Sequence, residues 1–135
     1  MKNAAQAIEF YKKAFGAVEL MRMPGPGGLI MHAEIKIGNS IVMLNDETPM
    51  CQSKSPETLG GVAGSLFLYV EDVDKSFAQA TAAGASTVMP LQDMFWGDRF
   101  GTVKDPFGHM WSMATHKEDL TPEQIQERMK AQAPA

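Results

Sequence analysis

The sequence predicts an α+β domain built from two halves of one plan, in which helices cover one side of a largely antiparallel sheet. Three observations predict it. Two amphipathic stretches end on glycines in matching local chemistry, Phe15-Gly16-Ala17 and Ala83-Gly84-Ala85. Each is followed by three short apolar runs broken by Gly, Pro, Asn and Asp, the pattern of strands and turns. A polar segment separates the two halves, and neither half alone has enough apolar surface to fold comfortably, so they must share a core.

The chain has 135 residues, 44% of them hydrophobic and 21% charged, which fits one domain over 1–135. Asn3 is placed to cap a first helix whose apolar residues Ala4, Ala7, Ile8, Tyr11 and Phe15 recur at helical spacing until Gly16. Residues 18–23 read as a strand closed by the turn Pro24-Gly25-Pro26-Gly27-Gly28. Strands at about 29–37 and 40–44 then flank Gly38-Asn39. This first module covers about residues 1–48. From Asn45 the composition turns polar, and 49–64 reads as a linker.

The second module, about 65–116, begins with a strand at 65–70. Asp72 or Asp74 then caps a helix carrying Val73, Phe77 and Ala80 and stopped by Gly84. Strands follow at 86–90, 99–104 and 109–115, with a loop through Met94-Phe95-Trp96-Gly97-Asp98 and a turn at Asp105-Pro106-Phe107-Gly108. Thr121-Pro122-Glu123-Gln124 has the form of a capping box with Pro at the first helical position, opening a C-terminal helix over about 121–132.

Bulk chemistry excludes several classes of function. A net charge of −4 and no basic cluster beyond Lys12-Lys13 argue against nucleic acid as the main partner. No apolar run approaches the roughly 18 residues of a membrane span, and charge interrupts the N-terminal stretch, which points to a cytoplasmic protein. Cys51 is the single cysteine and has no metal-binding pattern around it.

Taken in order, AIEFYKKAFGA, MHAEIKIGNS, YVEDVD, AAGA, MFWGDRFGTVKDPFGHMWS and ATHKEDLTPEQ resemble the PhnB-like branch of the vicinal-oxygen-chelate superfamily, which includes glyoxalase I, bleomycin-resistance proteins and extradiol dioxygenases. The resemblance covers nearly the whole chain. It implies paired βαβββ modules forming a cupped mixed sheet, the glyoxalase/bleomycin-resistance fold, in a homodimer. In metal-dependent members, His, Gln or Glu ligands come from the first and last strands of each module. Carried over residue by residue, those positions fall on Ser65, on Ser112, and on Val42 or Met43. Only Met1 and Lys2 precede the helix cap, so the first strand of module 1 is missing. A start upstream of this sequence is the other explanation of that gap.

No usual ligand position carries a usual ligand, so the expectation is a small-molecule binding protein with no metal cofactor, similar to the drug-sequestering members. Its ligand would be hydrophobic or cationic. By strand alternation Ser65, Phe67 and Tyr69 should share the open face of the cup with Met110, Ser112 and Ala114, while Trp111 faces the helices. Met43 adds an adaptable thioether. In the 94–98 loop and just beyond it, Trp96 could stack on a ligand while an Asp98-Arg99 pair fixes its polar groups, or the same three residues could lock the loop.

The alternative is a lyase, isomerase or thiol transferase with a relocated Zn, Ni, Mn or Fe site drawn from His32, Glu34 and His109. His32 and Glu34 lie two apart on one strand and so share a face. The ordinary reading of all three, and of His116, is surface or turn chemistry.

Overall fold

The computed structural model describes residues 1–132; the last three positions of the expected domain lie outside them. Helix α1 (Ala4–Phe15) leads into a three-stranded antiparallel sheet of β1 (Val18–Pro24), β2 (Ile30–Ile37) and β3 (Ser40–Leu44). After the short helix α2 (Pro56–Leu59), the second module runs β4 (Ser65–Tyr69), α3 (Val73–Ala83), β5 (Ser86–Asp93), β6 (Asp98–Lys104) and β7 (Met110–His116), and α4 (Pro122–Gln132) closes the chain. Its sheet has the order β4-β7-β6-β5, with β4 parallel to β7 and the other pairs antiparallel. The second module is therefore a full βαβββ unit. The first has the helix and three strands without a leading strand.

Helical periodicity decides what forms the core. Ala4, Ala7, Ile8, Tyr11 and Ala14 line one face of α1, pack beside α3, and cover Ala33, Ile35 and Ile37 of the first sheet and Val103, Trp111 and Met113 of the second. Trp111 is 1% exposed, lying 4.5 Å from the Phe15 ring and 5.2 Å from Tyr11 between ring centroids. One aromatic cluster thus belongs to both modules. Gln79 adds a polar tie, donating to the Lys13 carbonyl at 2.9 Å.

Four local expectations change. Asn3 does not cap α1: it adopts φ 62° with no side-chain cap. The carboxylate of Asp46 performs that role from beyond β3, accepting from the Ala4 amide at 2.7 Å and the Ile30 amide at 2.8 Å. The Pro-Gly run holds a 3-10 turn at Pro26–Gly28 rather than a plain hairpin turn. The linker contains α2, capped by Ser55, whose side chain accepts from the Thr58 amide, with Pro56 at the first helical position. Finally, β5 runs through Pro90 to Asp93, because it is an edge strand with a register irregularity between Met89 and Gln92, where a missing N–H breaks no ladder bond.

At α3, Asp72 is the capping residue, accepting from the Lys75 amide at 3.0 Å. The capping box of α4 is reciprocal: Gln124 N donates to Thr121 Oγ1 at 3.2 Å, and Thr121 N donates to Gln124 Oε1 at 2.9 Å.

The outer edge of β3 has one short parallel step. The Met1 amine donates to the Asn45 carbonyl at 2.7 Å, and the Glu47 amide donates to the Met1 carbonyl at 2.5 Å. Between β3 and β4 lies a cavity of about 220 Å³ lined by Tyr11, Val42, Leu44, Leu66, His109 and Trp111. A second, of about 760 Å³, is lined by Ile37, Ser40 and residues from Phe67 to Gln79. No helix is long and apolar enough to cross a membrane.

Candidate functional site

The two faces of the second sheet are separated by period-two alternation. Trp111 and Met113 face the helices, so Met110, Ser112, Ala114 and His116 point to the open side. Register places Ser65 beside Met110, Phe67 beside Ser112 and Tyr69 beside Ala114 on β4. On β6, Asp98 pairs with His116, Phe100 with Ala114 and Thr102 with Ser112.

Four rings run across this face in contact. Trp96 meets Phe100 edge-on at 5.6 Å, Phe100 stacks on Phe67 at 5.7 Å, and Phe67 meets Tyr69 at 5.0 Å. Phe67 is 47% and Tyr69 66% exposed, an unusual cost for aromatic surface unless something covers it.

The ends of this aromatic chain are fixed by one carboxylate. Asp98 is 3% exposed, and its Oδ2 accepts from the Tyr69 hydroxyl at 2.9 Å and from Trp96 Nε1 at 3.0 Å. Its Oδ1 is 2.9 Å from His116 Nδ1, while His116 Nε2 is 2.7 Å from Asp119. The hydrogen bonds and charge of Asp119, and then of Asp98, raise the His116 pKa above its usual value. Burial pushes the Asp98 pKa up, but bonds from His116, Tyr69 and Trp96 outweigh it, and the net shift is downward. The rings are thus held in place before any ligand arrives.

Arg99 leaves the expected pocket. It points to the helix side, where Nε and Nη2 donate to the two carboxylate oxygens of Asp74 at 2.8 Å each and Nη1 donates to Asp93 at 3.3 Å. The reason is alternation: Asp98 and Arg99 are sequence neighbours on a strand, so their side chains face opposite ways and cannot pair. Asp98 and His116 were the residues that sequence reasoning undervalued. The signal available was that Asp98 opens the strand before the 105–108 turn and His116 ends the strand after it, so antiparallel pairing sets them side by side.

Met43 lies apart from these rings, on the open face of the first sheet opposite Glu34, and Val42 opposes buried Ile35. His32 Nε2 is 3.2 Å from Glu34 Oε1 on the same face. His109 does not join them. It lies just before β7, its backbone amide donates to Asp105, and burial lowers its pKa. Among the described residues no group of three or more His, Cys, Asp and Glu is placed to hold a metal ion.

The positions that would hold a divalent metal in this fold do not fit one. Ser112 is 6% exposed with its hydroxyl 3.2 Å from that of Thr102, Ser65 offers a second hydroxyl, and Val42 or Met43 only an aliphatic chain or a thioether. None is a good donor to Zn, Ni, Mn or Fe.

Residues 1–113 match the model of the Glyoxalase/Bleomycin resistance protein/Dioxygenase superfamily. A relative from Mycobacterium tuberculosis is 49% identical over 133 residues, covering 96% of this chain and 78% of the relative. TioX from Micromonospora sp. ML1 superposes with a TM-score of 0.68 at 34% identity, covering 86% of this chain and 92% of that one. TnmS3, an antibiotic binding protein from Streptomyces sp. CB03234, has the same fold, with a TM-score of 0.65 at 21% identity and coverage of 87% and 89%. The cupped α+β architecture, the sequence match along most of the chain and these relatives agree: the chain belongs to the glyoxalase/bleomycin resistance protein/dioxygenase superfamily.

Proposed function

We propose that this protein binds a planar, largely apolar molecule, neutral or cationic, on the aromatic face of its second sheet, without the metal centre usual in the fold. The observation that carries this reading is the run Trp96–Phe100–Phe67–Tyr69, exposed in part and anchored at both ends to Asp98. Rings fixed in advance lose little freedom on binding, and their π faces attract flat apolar ligands and cations. Ser65, Met110 and Ser112 supply the floor around them, and Met43 lies on the open face of the first sheet. TnmS3 supports the reading only as an example of this fold in an antibiotic binding protein.

A homodimer is the assembly that suits these surfaces. Exposed Val18 and Ile41 on the first sheet are large apolar groups that a second copy would cover.

The test is a thermal-shift and tryptophan-fluorescence screen against planar aromatic antibiotics and dyes, in a Trp111→Phe background so that Trp96 reports alone. A true ligand at 100 times its Kd should stabilise the fold by about 2.7 kcal/mol. It should also quench Trp96, and both effects should weaken at least tenfold in Phe67→Ala. A panel that shifts nothing, or shifts wild type and Phe67→Ala equally, would sink the proposal.

A further inference from the structure

The open face of the first sheet carries a different chemistry. Arg22 and Glu19 of β1 turn toward α1, where Arg22 meets Glu9 and Lys12 meets Glu19, so Met21 and Met23 point to the other side. On β2, Ala33, Ile35 and Ile37 are buried, and His32 and Glu34 share the side of Met21 and Met23. Register sets Met23 opposite His32, Met21 opposite Glu34, and Met43 of β3 opposite Glu34 from the other flank. Directly opposed Cβ atoms in such a ladder are about 4.5–5.5 Å apart, and diagonal ones about 7–8 Å, within reach of flexible thioether side chains. All three methionines are well exposed.

The His32 ring is already oriented. Glu34 can only accept a hydrogen bond, so His32 Nε2 is the donor at 3.2 Å, and in the neutral ring Nδ1 carries a lone pair. A histidine whose second nitrogen is bonded to a carboxylate is the arrangement found behind metal-bound imidazoles. Lys36, the cation on this face, lies beyond Glu34 on the side away from His32.

We propose that Met21, Met23, Met43 and His32 form a binding site for Cu(I), with Glu34 as its positioning residue. Thioethers are soft neutral donors that suit Cu(I) and serve Zn, Ni or Mn poorly. Four neutral donors leave the ion's single positive charge, which the Glu34 carboxylate balances. Binding uses lone pairs alone: the thioethers release no proton and copper keeps its oxidation state. The site is separate from the aromatic face of the second sheet and stands or falls independently of it.

The experiment uses a Cys51→Ser protein, since the one thiol would otherwise capture Cu(I). Anaerobic titration with Cu(I) against bicinchoninate should show one ion per chain. His32→Ala and the triple variant Met21→Leu/Met23→Leu/Met43→Leu should each lose affinity at least tenfold, Glu34→Gln about tenfold, and Phe67→Ala nothing. Failure to hold Cu(I), equal binding by the triple variant, or Zn(II) held in preference to Cu(I) would overturn the assignment. Leu nearly conserves the volume of Met, and circular dichroism checks the fold. Should the triple variant not fold, X-ray absorption of the copper-loaded Cys51→Ser protein decides alone: sulfur scatterers support the site, and nitrogen and oxygen only refute it.

Discussion

The Tyr11 hydroxyl donates to the Asp105 carboxylate at 2.7 Å across 94 residues of sequence, tying the helix of the first module to a turn of the second. Asp105 also accepts from Trp111 Nε1 and from the Phe107 and His109 amides, each at 2.9 Å. Burial, and then the charge of Asp105, push the Tyr11 pKa far above its usual value. A bond to a buried charge contributes about 1.5–3 kcal/mol, so Tyr11→Phe should destabilise by that amount in urea unfolding. Asp105→Ala should cost more than Tyr11→Phe, because it strands all four donors. Equal costs would show that the carboxylate is not the organising group.

Asp46 predicts a second contrast. Asp46→Ala leaves the Ala4 and Ile30 amides without an acceptor in a buried setting, each at about 1–3 kcal/mol. Asn3→Gly should change stability by less than about 0.5 kcal/mol, since Asn3 makes no cap and its positive φ suits glycine. Thermal melts of the two variants check the ordering, and a larger loss in Asn3→Gly would restore Asn3 as the cap.

His116 and Asp98 make stability depend on pH in opposite senses. The His116 pKa is raised on folding, so its contribution is complete below the unfolded value near 6.5 and is lost as pH rises through the folded value. The Asp98 pKa is lowered, so its contribution is present above the unfolded value near 3.8 and is lost as pH falls through the folded one. NMR titration of the His116 ring should give a midpoint above 6.5, and His116→Gln should remove the decline on the alkaline side. A midpoint at or below 6.5 contradicts the bridge between the two carboxylates.

The Trp96 loop is pinned by Gly97, whose φ is 101° and whose carbonyl accepts from the Lys117 and Glu118 amides. A Cβ there would stand 2.5 Å from the Glu118 carbonyl oxygen. Gly97→Ala should therefore displace Trp96 and weaken ligand binding at least tenfold. Arg99→Ala should leave the affinity of the aromatic face unchanged, because Arg99 lies on the other side of the sheet with Asp74. Calorimetry with a compound from the screen measures both, and a loss on Arg99→Ala would return it to the pocket.

Periodicity made much of the site legible. Strand alternation separated Trp111 from Ser112, and Phe67 from Leu66 and Leu68, because successive side chains on a strand must face opposite ways. The same rule argues against an Asp98-Arg99 pair, although adjacency in the sequence suggested one. Partners of a carboxylate cannot be read from its neighbours: Asp98 is bonded by residues 2, 18 and 29 positions away.

The sequence alone determined the order of the main helices and strands, the glycine helix stops and the capping box of α4. These depend on local backbone preference and on the period of apolar residues, which operate within a few positions. Only the tertiary structure decided that Asp46 and not Asn3 caps α1, that Asp98 fixes Trp96 and Tyr69, and that Met23 stands opposite His32 with Met21 and Met43 flanking Glu34. Those are meetings between distant segments, set by register and packing in three dimensions, which no local pattern encodes.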